Sequence, residues 1–178
     1  MEHEMLNSGK IINPGTRLLS GLQPNCPLRS GSPQFLSATM GNRTIALARS
    51  VFDSVDDGFT DLNVSASPTP VTMFFVCKQA CHVGSACVPG ARSRWKELYG
   101  TQDQIIQLTI EHRKILIQNR FTTWFPFQCW GRFYAAGISM NGSGLSVRLL
   151  TVDHLQNLDF SDGRHQVVIL QPSLLVQN

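Results

Sequence analysis

The chain has 178 residues, a formal net charge of +3 and only 15% charged side chains. That length reads as one domain, since domains run to about 100–200 residues, and 42% hydrophobic content excludes wholesale disorder. The low charge excludes a coiled coil, and without a Lys/Arg stripe nothing supports electrostatic binding of nucleic acid.

Residues 1–40 carry Pro14, Pro24, Pro27 and Pro33 among isolated apolar residues with no period. They read as an irregular N-terminal segment, and the patterned domain spans 41–178. The opening Met1-Glu2-His3-Glu4-Met5 is polar and acidic, and does not read as a signal peptide. No apolar run approaches roughly 18 residues, so no transmembrane helix is expected.

From Arg43 onward the apolar period is two. Thr44–Ala48 is a short strand candidate, and Gly58–Val64 is a second, anchored by Phe59, Leu62 and Val64. Val71–Cys77 is dense in β-branched and aromatic residues, as a strand buried on both faces requires. Arg92–Tyr99 is the best helix candidate. Ile106, Leu108 and Ile110 alternate as one face of a strand, with Ile115 and Ile117 on a hairpin partner. Phe133-Tyr134 opens another run. Leu145, Val147 and Leu149 alternate in the next, and Val167–Leu170 closes the series. Strands at regular intervals between Gly, Pro, Asn and Asp predict an all-β fold, an antiparallel β-sandwich.

The five cysteines are Cys26, Cys77, Cys81, Cys87 and Cys129. Cys77, Cys81, His82 and Cys87 are close in sequence but contain no CxxC pair, which argues against zinc. Disulfides and buried thiols both remain open. Catalytic patterns are also missing. Gly137-Ile138-Ser139-Met140-Asn141 fails the GxSxG elbow at its last position, and neither GxxxxGK[ST] nor GxGxxG occurs. Asp56-Asp57 reads as a turn before a strand rather than an acid–base pair. His154 and His165 read as solvated loop residues. Sequons at Asn42, Asn63 and Asn141, together with the cysteines, lean toward an extracellular module.

Five pieces in order then resemble the pentraxin family over roughly residues 50–171. They are Ser50–Leu62 with its acidic turn, the strand Val71–Cys77, Glu97–Ile106 with Asp103-Gln104, Phe127-Gln128-Cys129, and Gly163–Leu170. The resemblance implies a jelly-roll sandwich, incomplete at its C-terminus. It implies a Cys77–Cys129 disulfide, worth on the order of 4 kcal/mol by chain entropy, with Cys81 and Cys87 as a possible second pair. It also places calcium at Asp103 and Gln104. The family's second acidic group, however, would fall at Gln171-Pro172-Ser173-Leu174, which has no carboxylate, while calcium seeks about 6–8 oxygens. Calcium-dependent binding is therefore expected to be impaired. The implied role is a secreted, non-enzymatic recognition module for a glycan, an anionic ligand or a protein partner, with possible assembly of like subunits. The alternative is an intracellular all-β interaction or structural protein with reduced cysteines.

Overall fold

The computed structural model describes residues 34–77, 99–116, 121–142, 144–151, 154–155 and 163–172. The strands are β1 (Gln34–Leu36), β2 (Ser54–Val55), β3 (Thr72–Cys77), β4 (Thr122–Cys129), β5 (Arg132–Asn141), β6 (Gly144–Thr151) and β7 (His165–Pro172). They form one seven-stranded sheet in the order β1-β3-β7-β4-β5-β6-β2. The sheet is mixed: β4 runs parallel to β7 and β2 parallel to β6, and the other pairs are antiparallel. Helix α1 (Gln102–Glu111) is joined by 3-10 turns at Ile45–Leu47, Asp57–Phe59 and Arg113–Ile115. The fold is mostly β. Among the described residues no helix is long and apolar enough to cross a membrane.

The period-two runs became strands where alternation was strict. In β6, Leu145 and Val147 are buried on the core face, and Leu149 packs against it. In β7, Val168 and Leu170 face the same core, while Val167 joins a second cluster on the opposite face with Trp124, Ala135 and Leu155. The main core joins α1 and the 3-10 turns to the sheet through Ile45, Phe59, Phe74, Ile105, Leu108, Phe125, Phe127 and Ile138. A strand buried on both faces needs no alternation, and β4 is buried at every position except Gln128.

Four expectations are corrected. The strand read over Ile106–Ile110 is helix α1, so its hairpin with Ile115 does not exist: Ile115 lies in a 3-10 turn, and Ile117 is outside the described residues. The helix wins because Thr101 and Gln104 form a reciprocal capping box, and because Ile105, Leu108 and Thr109 are buried at helical spacing. Ile110, the third member of the apparent alternation, is 53% exposed. Thr44–Ala48 and Gly58–Val64 hold 3-10 turns instead of strands, although Phe59 and Leu62 are buried anchors as expected. Asp56 caps its turn, its Oδ1 accepting from the Gly58 N–H at 2.9 Å. Within the stretch read as irregular, Gln34–Leu36 is a strand paired with β3, and Leu36 is fully buried. Residues 1–33 and the Arg92–Leu98 part of the helix candidate are outside the described residues.

Strand β4, absent from the sequence reading, contains Pro126. A proline inside a sheet loses a ladder bond unless its nitrogen faces away from the partner. Here β7 pairs with β4 only through Thr122, Thr123 and Trp124. Beyond that point Gly100 takes over the edge: its N–H donates to the Pro126 carbonyl (3.1 Å), and its carbonyl accepts from the Gln128 N–H (3.2 Å). The missing N–H therefore falls where no strand requires it.

The outer edge of β6 carries the two-residue strand β2, and carboxylates take up the N–H groups on either side of it. Asp53 Oδ2 accepts from the Leu145 N–H at 2.7 Å and Asp56 Oδ2 from the Leu149 N–H at 3.3 Å.

Candidate functional site

The β4–β5 hairpin positions the site. Cys129 pairs with Arg132, which leaves Trp130 and Gly131 as a two-residue loop. Both have positive φ, 50° at Trp130 and 70° at Gly131, as a type I′ turn demands. Such a turn suits Asn-Gly. A bulky residue at the first position is strained, because its Cβ crowds the backbone. Trp130 is also 71% exposed, so packing does not hold it there.

Beside this hairpin lies a cavity of about 120 Å³, lined by Arg43, Gln102, Asp103, Gln128, Cys129 and Trp130 among others. Helix α1 supplies its floor. Asp103 is 1% exposed, and its Oδ1 accepts from Arg43 Nε at 2.5 Å. Arg43 reaches over from the loop before the first 3-10 turn, and its Nη2 also donates to Gln107 Oε1. The second oxygen, Asp103 Oδ2, is buried and has no hydrogen-bond partner among the described residues. An unsatisfied buried acceptor costs about 1–3 kcal/mol. Gln102, by contrast, is fully engaged, accepting from the Ile45 N–H and donating to the Leu62 carbonyl. It ties the helix to the loops that wall the cavity.

Cys129 is a free, buried thiol whose Sγ donates to the Leu62 carbonyl at 3.9 Å. Burial pushes its pKa up, which keeps it protonated and a poor nucleophile. The expected Cys77–Cys129 bridge is not formed. Cys77 pairs with Val167, and Val167 pairs with Trp124, so Cys77 is level with Trp124 two strands away. Cys129 lies further down β4. Strand geometry separates the two Cα atoms by roughly 19 Å, against the ~7 Å limit for a disulfide. Cys26, Cys81 and Cys87 are outside the described residues.

The expected calcium ligands do not converge. Asp103 turns to Arg43, while Gln104 Oε1 accepts from the Thr101 N–H and its Nε2 donates to Thr72 Oγ1. Among the described residues no cluster of His, Cys, Asp or Glu could hold a metal ion. Of the sequon residues, Asn42 and Asn63 are exposed, and the Asn63 side chain accepts a bond from Thr44 Oγ1. Asn141 ends β5, and its side chain is outside the described set. His165, read as a solvated loop residue, opens β7 and lies against Trp124, whose Nε1–H donates to His165 Nδ1 at 3.3 Å. His154 is exposed, with Nδ1 2.9 Å from Thr151 Oγ1.

Sequence reasoning missed Arg43 and Trp130. The Trp130-Gly131 pair between two β runs carried a hairpin signal. The Arg43–Asp103 pair, 60 residues apart, carried none. No protein-family model, no curated protein and no solved structure matches the chain.

Proposed function

We propose that the protein is a non-enzymatic recognition module whose contact site is the Trp130 hairpin and the cavity beside it. One observation carries this reading: an exposed tryptophan sits in a left-handed conformation on the rim of a cavity lined by Arg43, Asp103 and Gln128. Backbone strain, an apolar ring in water and an unpaired buried acceptor all cost free energy in the unbound molecule. A ligand that covers the ring offsets the exposure of the indole. Burial that raises the Cys129 pKa makes this thiol a poor nucleophile.

The secreted setting and the finer sandwich architecture belong to this proposal. Exposed Asn42 and Asn63 support the setting. The second apolar cluster, on the sheet face opposite α1, supports a further layer there. The calcium-dependent part of the pentraxin expectation is not carried forward, because Gln104 is bonded to Thr101 and Thr72, which leaves Asp103, itself held by Arg43, without a second ligand beside it. The free thiol of Cys129 favours the second reading, an interaction protein of a reducing compartment. Expression behind a secretory leader separates the two. Glycan on Asn42 or Asn63 in folded, secreted protein supports the extracellular module, and secretion-incompetent protein that folds only without glycan supports the intracellular one.

The recognition site is tested with Trp130→Asn, which suits the type I′ turn. Fluorescently labelled wild-type and variant protein are applied to arrays of glycans and peptides. The expected result is that wild-type signals are lost in a variant that remains folded. Identical signals from both proteins would place recognition elsewhere.

A further inference from the structure

A different surface of the molecule carries a second contact, independent of the hairpin. None of the seven strands contains Asp or Glu. The described acidic residues, Asp53, Asp56, Asp57, Asp61, Asp103 and Glu111, all lie in α1 or in the 53–61 stretch. The sheet face opposite α1 therefore has no strand carboxylate. Its strands place two basic side chains there, Arg148 from β6 and His165 from β7, both against Trp124.

Arg148 is exposed, yet its position is fixed. Register puts it opposite Gly137, and Gly137 opposite Trp124. With no side chain at Gly137, the Trp124 ring lies over that position, and the guanidinium covers the ring at 4.8 Å from its centroid. A stacked guanidinium keeps its orientation and leaves its edge N–H groups to donate in its own plane. Among the described residues, ion pairs join Arg43 to Asp103 and His112 to Glu111, and none involves Arg148.

A pair of hydroxyls adjoins it. Ser146 precedes Arg148 by two residues on β6, and Ser139 follows Gly137 by two on β5. Both therefore stand on the same face, about 7 Å along their strands from the Gly137–Arg148 pair. Their Oγ atoms are 2.8 Å apart, and both residues are half-buried. The shared bond uses one of the two hydroxyl hydrogens. The other has only the Ser139 carbonyl, 3.5 Å from Ser146 Oγ, which is the far limit of a hydrogen bond. It is free to turn to an anion. A planar carboxylate spends both oxygens on a guanidinium fork. A tetrahedral oxyanion keeps a further oxygen for the hydroxyl.

We propose that Arg148, Ser139 and Ser146 form a binding site for the tetrahedral oxyanion of a phosphate or sulfate ester. The anion accepts from the Arg148 guanidinium and from one serine hydroxyl, and no carboxylate of the face competes with it.

The full chain, isotope-labelled for amide NMR, is titrated with inorganic phosphate and with sulfate at constant ionic strength. Acetate and chloride are the controls. The amide shifts of Gly137, Ser139, Ser146 and Arg148 report binding. Both tetrahedral ions are expected to saturate them in the millimolar range, and acetate to bind more weakly. Arg148→Gln is expected to weaken phosphate binding by roughly tenfold or more, which is about 1.4 kcal/mol. Ser139→Ala with Ser146→Ala is expected to weaken it by roughly threefold. Arg148→Lys keeps the charge and loses the fork, so it should fall between wild type and Arg148→Gln. Trp130→Asn should bind phosphate as wild type does, which separates this site from the hairpin. Phosphoserine and a sulfated monosaccharide, in separate arms, show which ester the site takes, and saturation by either supports the assignment. Saturation by the inorganic ions alone would overturn it and leave an adventitious ion only. Shifts that are equal with chloride, that persist in Arg148→Gln, or that are absent at tens of millimolar phosphate would overturn it as well.

Discussion

Trp130 in the β4–β5 turn is constrained by its backbone, and Gly137 in β5 by the side chain it lacks. Gly137 lies in β5 opposite Trp124, where an added Cβ would meet Trp124 ring atoms at 2.5 Å. The Trp124 ring is fixed from other sides by its bond to His165 and by the Arg148 guanidinium, 4.8 Å from the ring centroid. It has no room to retreat. Gly137→Ala should therefore destabilise the fold by about 1–3 kcal/mol, read as a lower urea midpoint at unchanged slope. Cys129 gives a second prediction at this scale. A protonated thiol packed under Leu62 reacts slowly, so iodoacetamide should modify it only after denaturant is added. Rapid alkylation of Cys129 in the native protein would show that the hairpin base is open.

At the scale of elements, α1 holds most of the lessons. Its N-terminus is closed by Thr101 and Gln104, and Thr101→Ala should cost about 0.5–2 kcal/mol in a denaturant titration. Its C-terminal end clasps β1. Glu111 Oε2 accepts from the Ser37 N–H at 3.2 Å, Oε1 accepts from Gln107, and His112 Nε2 lies 3.0 Å from the Phe35 carbonyl. Burial pushes the Glu111 carboxyl up, but the bonds from Ser37 and Gln107 and the nearby His112 outweigh it and hold the pKa below its usual 4.5. A depressed carboxylate pKa stabilises the fold above the unfolded value, and that contribution is lost as pH falls through the folded one. Wild type should thus exceed Glu111→Gln in thermal stability at neutral pH. The gap should close as the solution is acidified below 4.5.

The same helix explains why sequence reading failed there. Ile106, Leu108 and Ile110 imitate a strand face, and the capping pair Thr101-x-x-Gln104 was the competing signal that outweighed them. Strand β6 was legible from strict alternation, β3 and β7 from dense runs of β-branched and aromatic or aliphatic residues, and β5 from its Phe133-Tyr134 opening. Strand β4 was hidden by Pro126, whose tolerance depends on where β7 stops and Gly100 begins. Neither boundary can be read from local sequence.

At the scale of the whole molecule, one sheet carries two unequal faces. The larger core joins it to α1 and the 3-10 turns, and the smaller one gathers around Trp124. The strand order separates Cys77 from Cys129, so local resemblance around each cysteine did not translate into proximity. It also brings Arg43, Asp103, Gln128 and Trp130 together from three distant parts of the chain, a grouping that no spacing rule reveals. Asp53 and Asp56 flank β2 on the β6 edge, and Trp130 projects from the β4–β5 turn. On the proposed reading, Trp130 is kept in a strained turn for contact with a ligand and not for the stability of the fold.

Urea unfolding of Trp130→Asn tests that claim most directly, because asparagine accepts the left-handed conformation and preserves the turn. The variant is expected to be more stable than wild type by about 1 kcal/mol. A variant less stable by a similar amount would show that the indole packs as part of the fold, and would contradict the placement of the recognition site at this hairpin.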